Sequence, residues 1–354
     1  MLYQENKSSK ELFKKVHACL GENTAFVLFK RPNADEVLGI FEDQSDTCHD
    51  TRFVFFPFET AQKGYEIACN SVISTPIIDI AVSNSKSPTP WRAAAEEKNR
   101  FISAVQQAQK AIAQGKLQKV VLSRSVALTG MQDPQHLFSR LVHSYTNAFC
   151  YWWFHPSTGH WLGASPELLL ATRNNTAQIM SLAGTRKFKS GETVSWNEKE
   201  KEEQALVSAY IEDVLARHGA SLKVEGPNTI LAGSLVHLGT KFKASLQSDP
   251  DTLLKELHPT PAVCGIPKDE ALEFIKENEG YAREYYTGYL GVLSSDPEFS
   301  SELYVNLRCM RYINNIATVY VGCGITAGSD PEMEWQETVD KSQTIFKILD
   351  ISSH

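Results

Sequence analysis

The sequence of 354 residues lacks the long apolar segments that place a chain in a membrane or on a secretory route. No apolar run approaches the ~18 residues that a transmembrane helix needs. The N-terminal segment MLYQENKSSKELFKK is polar and charged where a signal peptide would carry an apolar stretch. We therefore expect a cytoplasmic protein that does not bind membranes.

Clusters of positive charge are also absent. Lysine and arginine total 35 against 42 aspartates and glutamates, for a net charge of −7, and no basic block or basic stripe with interleaved aromatic residues occurs. Nucleic-acid binding needs such a surface, so it is not expected. An acidic protein that binds an anion must use a metal ion or a few placed lysine and arginine side chains.

Paired cysteines are missing as well. The seven cysteines are scattered and odd in number, and no C-x-x-C pair occurs, so the spacings of zinc and iron–sulfur sites are absent. We interpret the cysteines as reduced, buried thiols of a cytosolic protein. They are Cys19, Cys48, Cys69, Cys150, Cys264, Cys309 and Cys323.

The chain is longer than the ~250–300 residues at which a single simple core stops growing. It therefore forms one large α/β or α+β unit, or two tightly packed halves. The Ser/Pro-rich segment SNSKSPTP at residues 83–90 is the best boundary. We predict an N-terminal α+β portion over residues 1–90, packed on the same core as a catalytic domain over residues 91–354.

Many strand-like segments after residue 90 follow one another directly, which favours hairpins and antiparallel pairing over helical crossovers. Apolar periodicity predicts strands at 117–128, 149–154, 161–172, 178–184, 229–238, 285–293, 302–313 and 316–325. It predicts helices at 92–114, 134–145, 196–217, 250–256, 268–279 and 331–349.

Two of these helices begin with matched pairs of glutamates, Glu200/Glu203 and Glu334/Glu337, that continue the apolar stripe. A spacing of three residues puts both carboxylates of a pair on one helix face. Four inward carboxylates would lose hydration and repel one another unless a cation lies between them. Oxygen ligands favour a hard divalent ion, with Mg²⁺ the first choice. The alternative is that these glutamates only favour the helix dipole and solubility.

Both helices carry start signals. Ser195 and Glu198 have the spacing of a capping box in front of the first glutamate pair. Asp330 is a good N-cap for the second helix, with Pro331 at the first helical position.

Two further residues are candidates for proton transfer. Lys119 begins a Val-rich strand, where alternation places it on the face of Val121, opposite Val120 and Leu122. A desolvated lysine could act as a base, whereas a strand-end lysine could simply reach solvent. Glu167 follows Pro166 in GASPELLL, and a carboxyl group among apolar residues tends to stay protonated, as a general acid requires. Its alternative is an ordinary charged residue at a strand start.

Two features suit the binding of a carboxylate. VGCGITAGSDP at residues 321–331 reads as a strand, a Gly-x-Gly turn and a helix start, whose free N–H groups could hold an anion. Arg308 has a planar guanidinium for bidentate binding, and alternation places it on a strand face with Tyr304, Asn306 and Met310. The alternative, a surface arginine, fits Arg311 better. Together the residues indicate a small di-anionic substrate.

Seven motifs in this order resemble the chorismate-utilising enzyme family. They are KVVLSR (119–124), GASPELLL (163–170), LAGTRK (182–187), HPTPAVCGIP (258–267), LR (307–308), GCGI (322–325) and EWQETVDKSQT (334–344). The resemblance covers about residues 101–349. It implies an α/β (α+β) fold, a layered sandwich of large, mainly antiparallel sheets with helices outside, with chorismate as substrate and Mg²⁺ as cofactor.

The resemblance also implies roles for individual residues. Glu203 and Glu337 would bind the metal, with Glu200 and Glu334 beside them, directly or through water. The residues that would contact substrate are Gly184, Thr185, His258, Ala262, Tyr286, Leu307, Arg308, Gly322, Gly324 and Lys341.

Within the family, Lys119 and the segment HPTPA resemble the isochorismate synthase branch. Enzymes that add ammonia usually carry glutamine at the position of Lys119, and salicylate synthases share the lysine but keep Phe-Pro-Ala in place of HPTPA. The resemblance implies an isomerase in which Lys119 activates water for attack at ring C2 and Glu167 protonates the leaving C4 hydroxyl. It implies no glutaminase partner, and we expect a monomer.

Three other readings stay open at this point: a salicylate synthase, a chorismate-binding subunit without activity, and an ammonia-using synthase component. The first would form isochorismate and then eliminate pyruvate. The pathway that the product would serve, towards menaquinone, a catechol siderophore or salicylate, is open as well.

Overall fold

The structure, a computed structural model, describes residues 3–43, 50–82, 89–187, 194–232, 235–247, 249–296 and 300–353. The helices of this part of the chain are α1 (Ser9–Glu22), α2 (Ala95–Ala113), α3 (Pro134–Ser144), α4 (Glu198–His218), α5 (Pro250–Leu257), α6 (Lys268–Asn278) and α7 (Pro331–Ile348). The strands are β1 (Tyr3–Asn6), β2 (Phe26–Lys30), β3 (Glu36–Phe41), β4 (Thr51–Phe56), β5 (Tyr65–Ala68), β6 (Ser71–Pro76), β7 (Thr89–Trp91), β8 (Lys119–Thr129), β9 (Phe149–His155), β10 (Gly159–Ser165), β11 (Leu168–Arg173), β12 (Thr176–Lys187), β13 (Gly219–Ala232), β14 (Leu235–Leu246), β15 (Gly265–Ile266), β16 (Tyr289–Ser294), β17 (Ser301–Val305), β18 (Cys309–Ile313), β19 (Ile316–Ile325) and β20 (Ile351–Ser353).

Two large sheets organise these strands. A ten-stranded sheet has the order β1-β6-β3-β2-β9-β10-β18-β19-β8-β15, and an eight-stranded sheet has the order β13-β14-β12-β11-β17-β16-β4-β5. Neighbouring strands are antiparallel except in the pairs β1–β6 and β7–β20. The predicted α/β sandwich of mainly antiparallel sheets is therefore confirmed.

An aromatic core fills the space between the two sheets. The rings of Phe55 and Trp153 lie 5.2 Å apart, and those of Phe149 and Tyr304 stack 4.3 Å apart, each pair joining one sheet to the other. Each such side chain buries roughly 150–250 Å². This burial joins the sheets into one unit.

Helices cover the outer faces of the sheets. Helices α1 and α3 pack on the ten-stranded sheet, α4 and α5 pack on the eight-stranded sheet, and α2, α6 and α7 enclose the end formed by β8 and β19. None of the helices in the described part of the chain has the length and apolar character needed to cross a membrane.

The N-terminal portion contributes strands to both sheets. Strand β2 pairs with β9, with Phe26 opposite Phe154, and β4 pairs with β16, with Phe56 opposite Tyr289. The first 90 residues thus share the core of the later residues. Most of the proposed boundary, residues 83–88, lies outside the described residues, and β7 directly after it pairs with β20.

Four predicted strands were wrong in their extent. The strand predicted at 285–293 begins only at Tyr289, because a turn precedes it. Residues 161–172 form β10 and β11, and residues 302–313 form β17 and β18, because the chain crosses from one sheet to the other at 166–167 and at 306–308. Residues 229–238 belong to the paired strands β13 and β14, whose first strand begins at Gly219, ten residues before the prediction. The two crossings place single residues between the sheets, which period-two alternation does not reveal.

Candidate active site

A cavity opens where both sheets meet α4 and α7. About 650 Å³ of space inside it, including its open mouth, is free of atoms. The lining comes from both crossings, from β8, β12, β14 and β19, and from the segments around residues 262 and 286. The lining residues are Val121, Pro166, Glu167, Leu182, Ala183, Gly184, Glu203, His237, Ala262, Val263, Tyr286, Thr287, Leu307, Arg308, Tyr320, Val321, Gly322, Cys323, Gly324 and Lys341.

The two crossings hold each other in place at the cavity wall. The Val305 N–H donates to the Glu167 carbonyl at 3.1 Å, and the Ala164 N–H donates to the Arg308 carbonyl at 3.1 Å. Arg308 has a left-handed φ of 49°. The prediction that it shares a strand face with Tyr304, Asn306 and Met310 was wrong, because the chain turns between the sheets at Arg308.

The Glu167 carboxyl group is 5% exposed. Burial raises its pKa to about 8, against the opposing charges of Lys119, Lys341 and Arg308. The carboxyl group is therefore protonated at neutral pH and has a proton to donate.

Lys119 is fully buried at the start of β8. Its Nζ lies 3.2 Å from Glu203 Oε1, yet the approach has no hydrogen-bond geometry, so Nζ has no acceptor among the described residues. Lys119 is not itself among the residues that line the cavity; it contacts Glu203, which is. The predicted alternation is confirmed: Val121 lines the cavity, whereas Val120 and Leu122 pack towards α2 and α6.

Lysines hold the carboxylates of α4 and α7. Lys199 Nζ lies 2.8 Å from Glu334 Oε1 and 3.7 Å from Glu203 Oε2, and Lys341 Nζ lies 2.7 Å from Glu337 Oε1. Burial raises the pKa of Glu334, against the charge of Lys199. Burial would also raise the pKa of Glu337, but Lys341 and Lys199 outweigh it and lower that pKa.

Lys199 was missed in the sequence. Burial would lower its pKa, but the surrounding glutamates raise it, so this lysine stays charged. Its signal was its position four residues before Glu203 on the same helix face.

The residues present fit a magnesium ion. Within the described residues no three or more His, Cys, Asp or Glu side chains form a ready ligand group. Mg²⁺ does not need such a group, since it keeps several waters and binds one or two carboxylates together with its substrate. Glu203 faces the cavity, and Glu337 approaches it through its ion pair with Lys341, which also lines the cavity.

Glu200 does not line the cavity. Its two carboxylate oxygens accept hydrogen bonds from Arg186 Nε and Nη2, both at 2.9 Å, and Oε2 also accepts from the Asn197 N–H at 2.8 Å. Asn197, rather than Ser195, caps α4, so the predicted capping box was placed two residues early. The carboxylate of Glu200 thus stabilises the helix start. Asp330 caps α7 and Pro331 is in its first turn, as predicted.

Gly322 and Gly324 lie in extended strand β19 and not in a turn. Strand β18 pairs with β19 only as far as Val319, so the backbone beyond it is open towards the cavity. The Gly322 carbonyl accepts from Lys341 at 3.0 Å and the Gly324 carbonyl accepts from Lys199 at 3.3 Å. Because the N–H and C=O of a strand residue point the same way, the two N–H groups face the cavity as well.

Sequence reasoning also missed His237. Its Nδ1 lies 2.8 Å from the Gly184 carbonyl, and its Nε2 lies 3.4 Å from Arg308 Nη2. Burial, followed by the charges of Arg308 and Lys341, lowers the pKa of His237 to about 3. A neutral ring with the proton on Nδ1 satisfies both contacts. Its β14 strand was predicted only in part, so no pattern pointed to it.

The remaining predicted contacts have three different outcomes. Gly184, Ala262, Tyr286 and Leu307 line the cavity. Thr185 lies in β12, but its side chain is outside the described part of the chain. His258 does not line the cavity: its Nε2 lies 3.0 Å from the Pro57 carbonyl and its ring packs on Tyr289 at 4.9 Å. His258 therefore anchors the segment that carries Ala262.

The amino-acid sequence matches the chorismate binding enzyme family over residues 28–347. It is 33% identical to the isochorismate synthase MenF of Escherichia coli K12 over 267 residues, 72% of this chain and 61% of that protein. It is also 33% identical to the isochorismate synthase EntC of the same organism, over 273 residues, 73% of this chain and 69% of that protein.

The fold is similar to the crystal structure of a Bacillus anthracis protein described as a 2,3-dihydroxybenzoate-specific isochorismate synthase, DhbC. That likeness has a TM-score of 0.78 at 25% identity, over 95% of this chain and 99% of the other. The family match begins at residue 28, so it includes N-terminal strands that carry none of the seven motifs. From this match and these relatives, we conclude that the chain belongs to the chorismate binding enzyme family.

Proposed function

We propose that the protein is an isochorismate synthase, which converts chorismate to isochorismate. The observation that carries the proposal is a protonated, buried carboxyl group that lines the cavity, Glu167, together with a buried amine, Lys119, beside the cavity-lining Glu203. Among the described residues, the Lys119 amine has no hydrogen-bond acceptor of good geometry. Relatives that are 33% identical are named isochorismate synthases, which supports this reaction.

Substrate binding would use the cations of the cavity. Arg308 and Lys341 both line it, and chorismate carries two carboxylates. Burial lowers the pKa of Arg308, which reflects the cost of an isolated charge that a bound carboxylate would offset. The N–H of Gly324 is a further donor, and Tyr286 and Leu307 supply apolar wall.

The reaction needs a proton removed from one side of the ring and delivered to the other. Lys119 takes a proton from water, whose oxygen bonds to C2. Glu167 gives a proton to the C4 hydroxyl, which leaves as water, while the ring double bonds shift between the two carbons. Water is added and water is lost, so chorismate and isochorismate have the same composition, as an isomerase requires.

Glu203 and Glu337 would hold Mg²⁺, with Glu334 beside them. When bound, the ion neutralises the ring carboxylate and orients it. Glu200 is left out of this set because Arg186 and the α4 N-terminus already occupy its carboxylate.

Product analysis tests the proposal. The purified protein is incubated with chorismate and Mg²⁺, with and without ammonium ion, and products are separated by chromatography. Isochorismate is expected in both cases, without a glutaminase subunit. Salicylate fluorescence that rises as fast as chorismate disappears would identify a salicylate synthase instead, and an ammonium-dependent aromatic amine would identify an ammonia-using enzyme.

We further infer a cytoplasmic monomer. The cysteines in the described part of the chain are free and buried, as expected of reduced thiols. Size-exclusion chromatography with light scattering checks the monomer, and a dimer mass at micromolar protein would contradict it.

A further inference from the structure

Arg283 lies behind the cavity wall, in the turn that follows α6, and is 3% exposed. It is not among the residues that line the cavity. Its guanidinium nevertheless contacts three separate segments that do line it.

All five N–H groups of this guanidinium are used. Nη1 donates to the Val263 carbonyl at 2.8 Å and to Thr287 Oγ1 at 3.2 Å, and Nη2 donates to the Val121 carbonyl at 2.7 Å. Nε and Nη2 donate to the Glu279 carboxylate at 2.8 and 2.5 Å. Val121, Val263 and Thr287 each line the cavity.

Glu279 extends this group of contacts to β8. Its side chain is 1% exposed, and Oε1 accepts from Ser123 N–H at 2.7 Å and from Ser123 Oγ at 2.8 Å. The ring of Phe58 lies 4.5 Å from the guanidinium carbon of Arg283. Lysine could not replace this arginine, since it has three donors and no planar fork.

We propose that Arg283 is a positioning residue for the reaction, whose guanidinium fixes strand β8, the segment 262–264 and the turn 286–288 at one separation. Val121 is two residues from Lys119 on the same strand face, and its N–H also donates to the Cys264 carbonyl at 2.7 Å. Without the guanidinium, strand β8, which carries Lys119, is no longer held at a fixed distance from the turn that carries Tyr286. The inference rests on the proposed function, because it concerns the placement of that base.

Arg140 provides a matched control. It is a buried arginine, 9% exposed, that donates to Asp350 at 2.7 Å and to the Lys347 carbonyl at 2.8 Å, away from the cavity lining. Arg283→Lys and Arg283→Ala should each lower kcat/KM about 100-fold, mainly through kcat, because a misplacement of about 1 Å costs this much. Arg140→Lys and Arg140→Ala should stay within threefold of wild type.

Chemical rescue separates positioning from simple loss of stability. Guanidinium chloride at millimolar, non-denaturing concentration should restore activity to Arg283→Ala at least tenfold, while methylammonium should not and wild type should not be stimulated. Guanidinium weakens folded proteins, so general stabilisation cannot explain a rescue. If Arg283→Ala does not fold, Arg283→Lys and Glu279→Gln are compared with the Arg140 variants by the same kinetics.

Hydrogen exchange gives a readout that does not need turnover. Amides of residues 119–123 and 262–265 should exchange faster in Arg283→Lys than in wild type, and should not change in Arg140→Lys. If wild type is active and folded Arg283→Lys has the same kcat/KM, the positioning role of Arg283 is overturned and the proposed function is not. A wild type that leaves chorismate unchanged overturns the proposed function, whatever the exchange pattern.

Discussion

At the scale of single residues, the proposed reaction assigns its two proton transfers to Lys119 and Glu167. Both are buried, and they come from different elements, β8 and the β10–β11 crossing. Glu167 lines the cavity, whereas Lys119 contacts the cavity-lining Glu203. The sequence predicted each as a candidate, since a charged residue is unusual both in a Val-rich strand and in a run of leucines. It could not predict that Lys119 lies close enough for its charge to act on Glu167, because this depends on the order of strands in two sheets.

Changing Lys119 to alanine should lower kcat about 10³-fold while the Kd for chorismate changes little, because the amine acts on water and not on the carboxylates. Isothermal titration measures binding and a stopped product assay measures turnover. Lys110→Ala, on the exposed face of α2, is the control and should behave as wild type. Turnover of Lys119→Ala within tenfold of wild type would contradict the assignment of the base.

Glu167→Gln should abolish isomerisation and change the pH dependence of stability. The pKa of this carboxyl group is about 8 in the folded protein against 4.5 for an ordinary glutamate. The folded state binds the proton more tightly, so the stability it contributes is full below pH 4.5 and is lost as the pH rises towards 8.

Thermal unfolding therefore checks Glu167→Gln directly. Its Tm should exceed that of wild type by more at pH 8.5 than at pH 5, because glutamine never ionises. Glu202→Gln, at an exposed position on α4, is the control and should show no such trend. Equal differences at both pH values would argue against a buried, protonated Glu167.

At the scale of elements, the N-termini of α4 and α7 and the open edge of β19 position the side chains of the site. Local patterns predicted α7 with its cap, since Asp330 and Pro331 act within one turn. For α4 they predicted a capping box at Ser195, whereas the structure has it at Asn197. Both residues precede a glutamate by three positions, and nothing local decides between the two boxes. The open edge of β19 was not predictable, because it results from where its neighbour β18 stops pairing.

Removal of the α4 cap should cost stability without altering the chemistry. Asn197→Ala should lower the free energy of unfolding by about 1 kcal/mol, measured by urea denaturation. Ser195→Ala should leave it unchanged, since the side chain of Asn197 accepts the N–H of Glu200. The reverse order of the two variants would place the cap at Ser195.

Gly324→Ala should abolish activity, because Gly324 in β19 packs closely against side chains of α4 and β8. A Cβ atom there would lie 2.0 Å from Glu203 Oε1 and 2.9 Å from Lys119 Cε, so either the carboxylate or the amine must move. We expect kcat to fall at least 100-fold, on the scale of a misplacement of about 1 Å. Gly328→Ala, whose Cβ would meet its nearest atom at 3.8 Å, should retain activity. Similar kinetics of the two variants would show that the strand tolerates the extra atom.

At the scale of the whole molecule, α4 and α7 come from distant parts of the chain and bring their carboxylates to one side of the cavity. Glu203 and Glu334 are both within reach of Lys199, although 131 residues separate them in the sequence. Similar sequence patterns on two helices predicted a common role. Their meeting depends on α4 packing on the eight-stranded sheet and α7 on β19 of the other.

Magnesium should therefore stabilise the protein as well as support turnover. Addition of Mg²⁺ to protein treated with EDTA should raise Tm, since an ion that binds only the folded state shifts unfolding by mass action. Glu337→Gln should remove both this shift and activity, whereas Glu332→Gln, an exposed residue on the same helix, should retain both. An undiminished shift in Glu337→Gln would place the ion elsewhere.

The sequence by itself determined what acts over short distances: the alternation around Lys119, the helix stripes of the glutamate pairs, the absence of basic and disulfide patterns, and the motifs of the family. These depend on neighbours within one or two turns of chain. Only the tertiary structure decided that Arg308 lies at a crossing, that Glu200 accepts hydrogen bonds from Arg186, and that His258 lies outside the cavity. Only the tertiary structure, too, placed three further side chains in or behind the site: His237, Lys199 and Arg283. Such contacts follow from strand order and sheet packing, whose favourable free energy comes from burying apolar surfaces that are far apart in sequence.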